Sequence, residues 1–88
     1  MFRVPVCPNG HTPAEFIVLL YDFDKDRDEI VLLEDSILMY PNGELTNRYV
    51  DGTAGLSEYH RELAEESEDV ICPDCLSDCI WQDVTEEI

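Results

Sequence analysis

Two short cysteine-containing segments, one near each end of the chain, constrain its fold more than any other feature. They are residues 7–11, with the sequence CPNGH, and residues 72–75, with the sequence CPDC. A chain of 88 residues lies near the lower size limit for a self-sufficient core, and such chains commonly need disulfides or a metal ion. No apolar signal stretch follows Met1, so we expect a cytoplasmic protein, in which closely spaced cysteines bind metal more often than they form disulfides.

The residue types in these two segments are those that bind zinc. Zinc takes four ligands at the corners of a tetrahedron, usually cysteine thiolates and neutral histidine. We predict that one Zn2+ is held by Cys7, His11, Cys72 and Cys75. Cys79 leaves a second arrangement open, in which four cysteines hold the ion and His11 is free. Four protein ligands leave no position for a reactive water, so we expect a structural ion and a protein that is not an enzyme.

With these segments the chain resembles the zinc-ribbon group, in which two CPxC-type knuckles at the tips of β-hairpins hold zinc. The resemblance is limited to the residues around 7–11 and 72–75. Gly10 stands where the second cysteine of the first knuckle is expected, Leu76 stands where glycine is common, and the interval between the knuckles is longer than in compact ribbons. The resemblance implies a zinc site but no particular activity. Unligated cysteines, or a disulfide or redox pair of Cys72 and Cys75, are the alternatives.

Hydrophobic patterning between the two ends predicts a small α+β fold. Alternating apolar runs indicate an antiparallel sheet of about four to six strands, and one segment that begins at Ser57 has the three- and four-residue spacing of a helix. The expected strands cover residues 4–7, 15–21, 29–34, 36–40, 44–50, 70–72 and 79–84, of which 36–40 is either separate or a continuation past a bulge. We expect residues 1–88 to form a single domain closed by the zinc site.

An acidic segment, residues 22–28, interrupts the apolar runs and is predicted to be a hairpin loop. Its aspartates alternate, as in a calcium-binding loop. An EF-hand needs glycine at its sixth position and glutamate at its twelfth. Counted from Asp22, those positions are Arg27 and Leu33, so the pattern does not favour calcium.

The chain is strongly acidic, with 21 Asp and Glu against 5 Lys and Arg, and a formal net charge of −16. This charge predicts that the protein binds neither nucleic acid nor a membrane directly, since both are bound mainly through their phosphates. The charge favours a function in which this protein, as a monomer, docks on a basic surface of a partner protein. The candidate docking residues are Asp22, Asp24, Asp26, Asp28, Glu62 and Glu66.

The alternating aspartates also suggest how such docking would work. In an extended segment, alternate side chains lie about 6.8 Å apart on one face, which approximates a row of phosphates. The protein would then inhibit or regulate nucleic-acid machinery by mimicking its ligand. Two alternatives stay open: a zinc-ribbon component of a transcription or translation assembly held by an uncharged patch, and a salt-adapted source that explains the acidity without a partner.

Overall fold

The structure, a computed structural model, describes residues 2–85 and places six strands and one helix within them. In chain order they are β1 (Phe2–Val6), β2 (Phe16–Asp24), β3 (Glu29–Met39), β4 (Leu45–Tyr49), α1 (Glu58–Glu66), β5 (Val70–Ile71) and β6 (Ile80–Val84). All pairings are antiparallel, in a four-stranded sheet of order β4-β3-β2-β5 and a two-stranded sheet of β1 and β6. The predicted α+β class is confirmed. The single-domain prediction stays a prediction, and its residues 1 and 86–88 lie outside the described residues.

The core lies between one face of the four-stranded sheet and helix α1. Strand β2 turns Phe16, Val18 and Leu20 inward at the two-residue period of a strand, and β3 adds Ile37 and Met39. The helix covers this face through Ala64, which is buried, with Leu63 and Leu56 packed at the margin. The core therefore occupies the half of the β2–β3 hairpin that lies away from its turn.

Strand β3 is continuous, so the two predicted segments 29–34 and 36–40 form one strand with an irregularity. On β2 one residue separates Leu19 from Tyr21, whereas on β3 three residues separate their partners Ser36 and Leu32. The extra residues form a bulge. Of the two alternatives for residues 36–40, the structure shows the continuation of the preceding strand past a bulge, not a separate strand.

The predicted acidic loop is wrong in its length. Strand β2 continues to Asp24, and only residues 25–28 form the turn before β3. The Asp24 carboxylate accepts the backbone N–H groups of Asp26 and Arg27 at 3.0 and 3.4 Å, and Asp28 adopts a left-handed φ of 54°. An aspartate that bonds to the backbone two residues on closes a tight turn. The four aspartates therefore do not form one extended row, which removes the phosphate-like spacing expected of them.

Ser57 is the N-cap of helix α1, as predicted, and its side-chain oxygen accepts the N–H of His60. His60 is half-buried and lies on the sheet side of the helix, where its Nδ1 is 2.5 Å from the hydroxyl of Tyr49. The neighbouring Tyr59 is exposed and donates a hydrogen bond to Asp22 on β2. No helix among residues 2–85 is long and apolar enough to cross a membrane.

Gly43, in the turn between β3 and β4, brings the two sheets into contact. Its φ is 91°, and a Cβ at this position would overlap the backbone carbonyl oxygen of Arg3 on β1. Both the backbone conformation and the close approach require glycine here. This contact fixes the N-terminal strand against the β3–β4 turn.

Candidate metal centre

The structure brings Cys7, His11, Cys72 and Cys75 together, although Cys7 and Cys75 lie 68 positions apart in the sequence. One ligand-type atom from each side chain lies within 4.8 Å of all the others. Cys7 and Cys72 are 2% and 0% exposed, whereas Cys75 is half-buried and His11 exposed. The arrangement could hold one metal ion at the edge of the protein interior.

Three of the distances between atoms of this cluster are close to those expected around a tetrahedral ion. With metal–sulfur and metal–nitrogen bonds of about 2.3 and 2.05 Å, tetrahedral angles place two sulfurs about 3.8 Å apart and a sulfur and nitrogen about 3.6 Å apart. Cys7 Sγ lies 3.5 Å from Cys75 Sγ and 3.5 Å from His11 Nδ1, and Cys72 Sγ lies 3.8 Å from His11 Nδ1. A disulfide would need about 2.05 Å between sulfurs, and none of the four cysteines of the chain forms one in the structure. The four side chains therefore fit a metal ion better than they fit a disulfide.

Two backbone turns aim these side chains. Cys7 directly follows β1, and the Gly10 N–H bonds to the Cys7 carbonyl at 3.1 Å, with Gly10 at a φ of 82°. Cys72 directly follows β5, and the Leu76 N–H bonds to the Cys72 carbonyl at 2.7 Å. Each turn folds a short segment so that its two ligand side chains point to one place.

The second turn is the tip of a small hairpin, which an isolated bridge between Ile71 and Asp78 closes. The first turn is not a hairpin tip, because β1 pairs with β6 and not with β2, the next strand in the chain. Only one half of the site thus has the knuckle-on-hairpin arrangement that the zinc-ribbon resemblance implied.

Leu76 occupies the position where a glycine was expected from that resemblance. Its φ is 56°, in the left-handed region that favours glycine, and its side chain is 68% exposed. A non-glycine residue costs roughly 1–2 kcal/mol in this conformation. The turn keeps the backbone shape of a glycine-containing knuckle without the glycine.

Asn9 and Ser77 support the cluster, and sequence reasoning did not identify them. The Asn9 side-chain amide donates to Cys75 Sγ at 3.4 Å and to Ser77 Oγ at 3.3 Å, which links the two turns directly. The signal in the sequence was a polar side chain within or beside each turn: Asn9 lies between Cys7 and His11, and Ser77 lies two residues after Cys75. Such partners orient the ligands of a metal.

Hydrogen bonding also prepares Cys75 to act as a ligand. Hydrogen bonds from Ser77 and Asn9 lower the pKa of the Cys75 thiol from 9.0 to about 5, so it is a thiolate at neutral pH. The neighbouring thiols of Cys75 and Cys7 raise the pKa of His11. Burial raises the pKa of Cys72, so this thiol has to release its proton when it binds a metal.

Cys79 lies outside the four-residue cluster, so the structure favours the arrangement with His11 over the one with four cysteines. Its backbone N–H bonds to the Val70 carbonyl at 2.7 Å, and its side chain packs against the hydrophobic core. Burial, together with the negative charge of the nearby thiolates, raises the pKa of Cys79 to about 11. It is therefore a protonated core residue at neutral pH.

The candidate docking residues fall into two groups. Asp22 lies beside α1, where Tyr59 donates to it, and Asp22 and Glu66 both line a groove between β2 and the end of α1. Glu62 is exposed one helical turn before Glu66 on α1. The remaining three, Asp24, Asp26 and Asp28, lie at the end of β2 and in the turn that follows it.

Comparisons with protein-family models, with curated proteins and with solved structures found no match for this chain. What defines the class of the protein is therefore its architecture: a small α+β fold with a Cys3His cluster able to hold a metal ion.

Proposed function

We propose that this protein is a non-enzymatic zinc protein that docks on a basic surface of another protein. The observation that carries the zinc assignment is the convergence of three sulfurs and one imidazole nitrogen within 4.8 Å of one another, with three of their distances at 3.5–3.8 Å. A set rich in thiolates selects zinc over magnesium, calcium or manganese, which prefer oxygen ligands. The ion's role is to tie the segment after β1 to the segment after β5.

The absence of an open coordination position supports a structural ion. A catalytic zinc keeps one position for water or substrate. Here four side chains supply the complete tetrahedral set, and the two most buried ones, Cys7 and Cys72, come from opposite ends of the chain. An ion so placed acts as a cross-link between distant segments.

Charge supports the docking role. The formal net charge is −16, and the described ion pairs use few of the carboxylates. A surface of this sign attracts a positively charged protein and accelerates its association, while it repels nucleic acid. Inhibition or regulation of a nucleic-acid-binding protein through its basic surface is the role that this charge favours.

A second candidate, a structural component of a transcription or translation assembly, is favoured by the exposed apolar side chains of the β2–β3 hairpin. Phe23, Ile30 and Leu32 lie near its turn, all more than half exposed. A patch of this kind marks a contact surface. Such a contact would depend on salt much less than a contact between opposite charges.

Two measurements test the proposal. Native mass spectrometry with elemental analysis should find one zinc per chain, and Co2+ substitution should give the visible absorption of a tetrahedral thiolate site. A pull-down from the host's lysate should recover basic proteins at about 50 mM salt and lose them at about 500 mM. A metal-free chain that is equally folded in chelator contradicts the zinc centre, and salt-independent capture contradicts docking by charge.

A further inference from the structure

Strand β2 extends beyond its neighbour β5 and leaves an open edge. Strand β5 pairs only with Ile17 and Val18, and one further hydrogen bond, from the Leu19 N–H to the Asp69 carbonyl at 3.0 Å, ends the contact. The strand itself continues to Asp24. Within residues 2–85, no strand pairs with this side of β2 beyond Leu19.

The backbone groups of two residues point to this open edge. In an antiparallel ladder, residues two apart direct their N–H and C=O groups to the same side. The N–H and C=O of Leu19 both bond to residues 67–69, on the side away from β3. A bulge follows Leu19, but its extra residues lie on β3 and not on β2, so Tyr21 and Phe23 direct their N–H and C=O groups to that side as well. Consistent with this, the Phe23 N–H bonds to the side chain of Asp22, at 2.8 Å.

A groove of about 690 Å³ lies along this edge, between β2 and the end of helix α1. Its apolar part is formed by Tyr21, Phe23, Ile30 and Leu63. Phe23 is 51% exposed and Ile30 71%, and the two face each other across the β2–β3 ladder. An apolar surface beside strand backbone that has no partner strand is the combination that binds an added strand.

The charged residues that line the groove are all acidic: Asp22, Glu66, Glu68 and Asp69. Arg3 lies 3.8 Å from Glu68, but both side chains are largely exposed, so this pair is weak. No lysine or arginine is among the described residues that line the groove. The rim therefore selects a positively charged occupant.

We propose that the open edge of β2 and this groove bind an extended segment of a partner protein, in which basic and apolar side chains alternate. The segment would add to the sheet as a strand and bond to the backbone of Tyr21 and Phe23. Its carbonyl would replace the Asp22 carboxylate at the Phe23 N–H, and the freed carboxylate would pair with a basic side chain. This inference rests on the proposed docking function and gives the basic partner its binding site.

A second copy of this chain is a worse occupant than a basic segment. Two copies joined at β2 would bring the same acidic rims together, and each chain carries a formal charge of −16. Like charges at an interface oppose association and suppress the wrong partner. The charge of the groove thus also protects the open edge from self-association.

The test uses a fluorescein-labelled peptide of alternating lysine and valine residues and the zinc-loaded protein. A control peptide has the same side chains but N-methyl groups on consecutive central amides, which block both of its edges. We expect the control to bind at least about tenfold more weakly, since each net backbone hydrogen bond contributes about two- to tenfold in affinity. Amide hydrogen exchange at Tyr21 and Phe23 should slow only with the unmethylated peptide.

Matched protein variants test the groove. Glu66→Gln with Glu68→Gln removes two charges from the rim, and Glu34→Gln with Asp35→Asn removes two exposed charges on β3 outside it. The rim variant should weaken binding about threefold or more at about 50 mM salt relative to the control variant. Salt-dependent binding that is equal for both peptides and both variants overturns the edge site but leaves docking by charge intact. No binding at low salt overturns both, and a dimer joined through β2 overturns the basic occupant.

Discussion

Replacing His11 by alanine tests whether an ion joins the two ends of the chain. His11 is exposed, so its truncation removes little packing, whereas Cys7 and Cys72 are buried and their loss would also disturb the interior. Any large loss of stability in His11→Ala therefore reports on the metal and not on the core.

We take the expected magnitude by analogy with a covalent cross-link, because an ion held by these residues would close the same loop. The ligands Cys7 and Cys75 enclose about 70 residues, and cross-linking such a loop stabilises the fold by about 4 kcal/mol in the chain-entropy model. Chelation of the native protein should therefore lower the free energy of unfolding by about 4 kcal/mol. With a urea m-value of about 1.3 kcal/mol per M, the unfolding midpoint falls by about 3 M. At low free zinc, His11→Ala should lose about half or more of this stabilisation of about 4 kcal/mol, because the variant binds the ion more weakly.

The assay is urea unfolding, followed by far-ultraviolet circular dichroism and by the fluorescence of Trp81, each measured with zinc and with chelator. Trp81 lies on β6 and donates to the Glu68 carbonyl at 2.8 Å, so it reports on the two-stranded sheet. In chelator, His11→Ala and the native chain should differ by less than about 0.5 kcal/mol, as for most exposed substitutions. If the variant lost the same stability with chelator as with zinc, the ion would not be the link.

Three further predictions concern single positions. Gly43→Ala should lower the free energy of unfolding by at least about 2 kcal/mol, because the added Cβ overlaps β1. Gly52→Ala, at a φ of 94° and with no atom near the added Cβ, should lower it by about 1 kcal/mol. Equal losses in the two variants would contradict the overlap. Leu76→Gly should stabilise the zinc-loaded protein by about 0.5–1 kcal/mol, because glycine adopts the left-handed φ of this position without strain. A lower free energy of unfolding in the variant would show that Leu76 is unstrained there. In chelator at pH 7, iodoacetamide should modify Cys75 before Cys79, since the pKa values of the two thiols are about 5 and about 11. Mass spectrometry of the peptides measures the order of modification, and modification of Cys79 first would contradict the prediction.

The sequence predicted the strands and the four residues that the structure brings together in the Cys3His cluster, because both depend on local pattern and residue type. Alternation placed Phe16, Val18 and Leu20 on one face, and turn-forming residues beside Cys7 and Cys72 indicated two segments shaped to hold an ion. Convergence of the two segments could be inferred only from chemistry, because neither segment alone supplies the four ligands that a tetrahedral zinc ion takes.

What the sequence did not reveal depends on contacts between distant residues or on one side-chain hydrogen bond. The Asp24 carboxylate shortens the acidic turn by bonding to the backbone that follows, and this bond competes with the loop that composition favours. The order of strands in the sheet is non-local, so the short pairing of β5 with β2 and the resulting open edge had no local signal. The approach of Gly43 to Arg3 is non-local for the same reason.

The Cys3His cluster and the open edge of β2 are connected through strand β5. Cys72 directly follows β5, and the Asp69 carbonyl just before β5 accepts the Leu19 N–H at 3.0 Å. A strand of two residues makes few ladder hydrogen bonds, so an ion held by Cys72 would help to fix β5 against β2. Because β5 is short, such an ion would stabilise the sheet without a longer strand that would cover Tyr21 and Phe23. On the two proposals made above, a metal ion would take the place of a full edge strand, and this small chain would keep a defined fold while it exposes backbone to a partner.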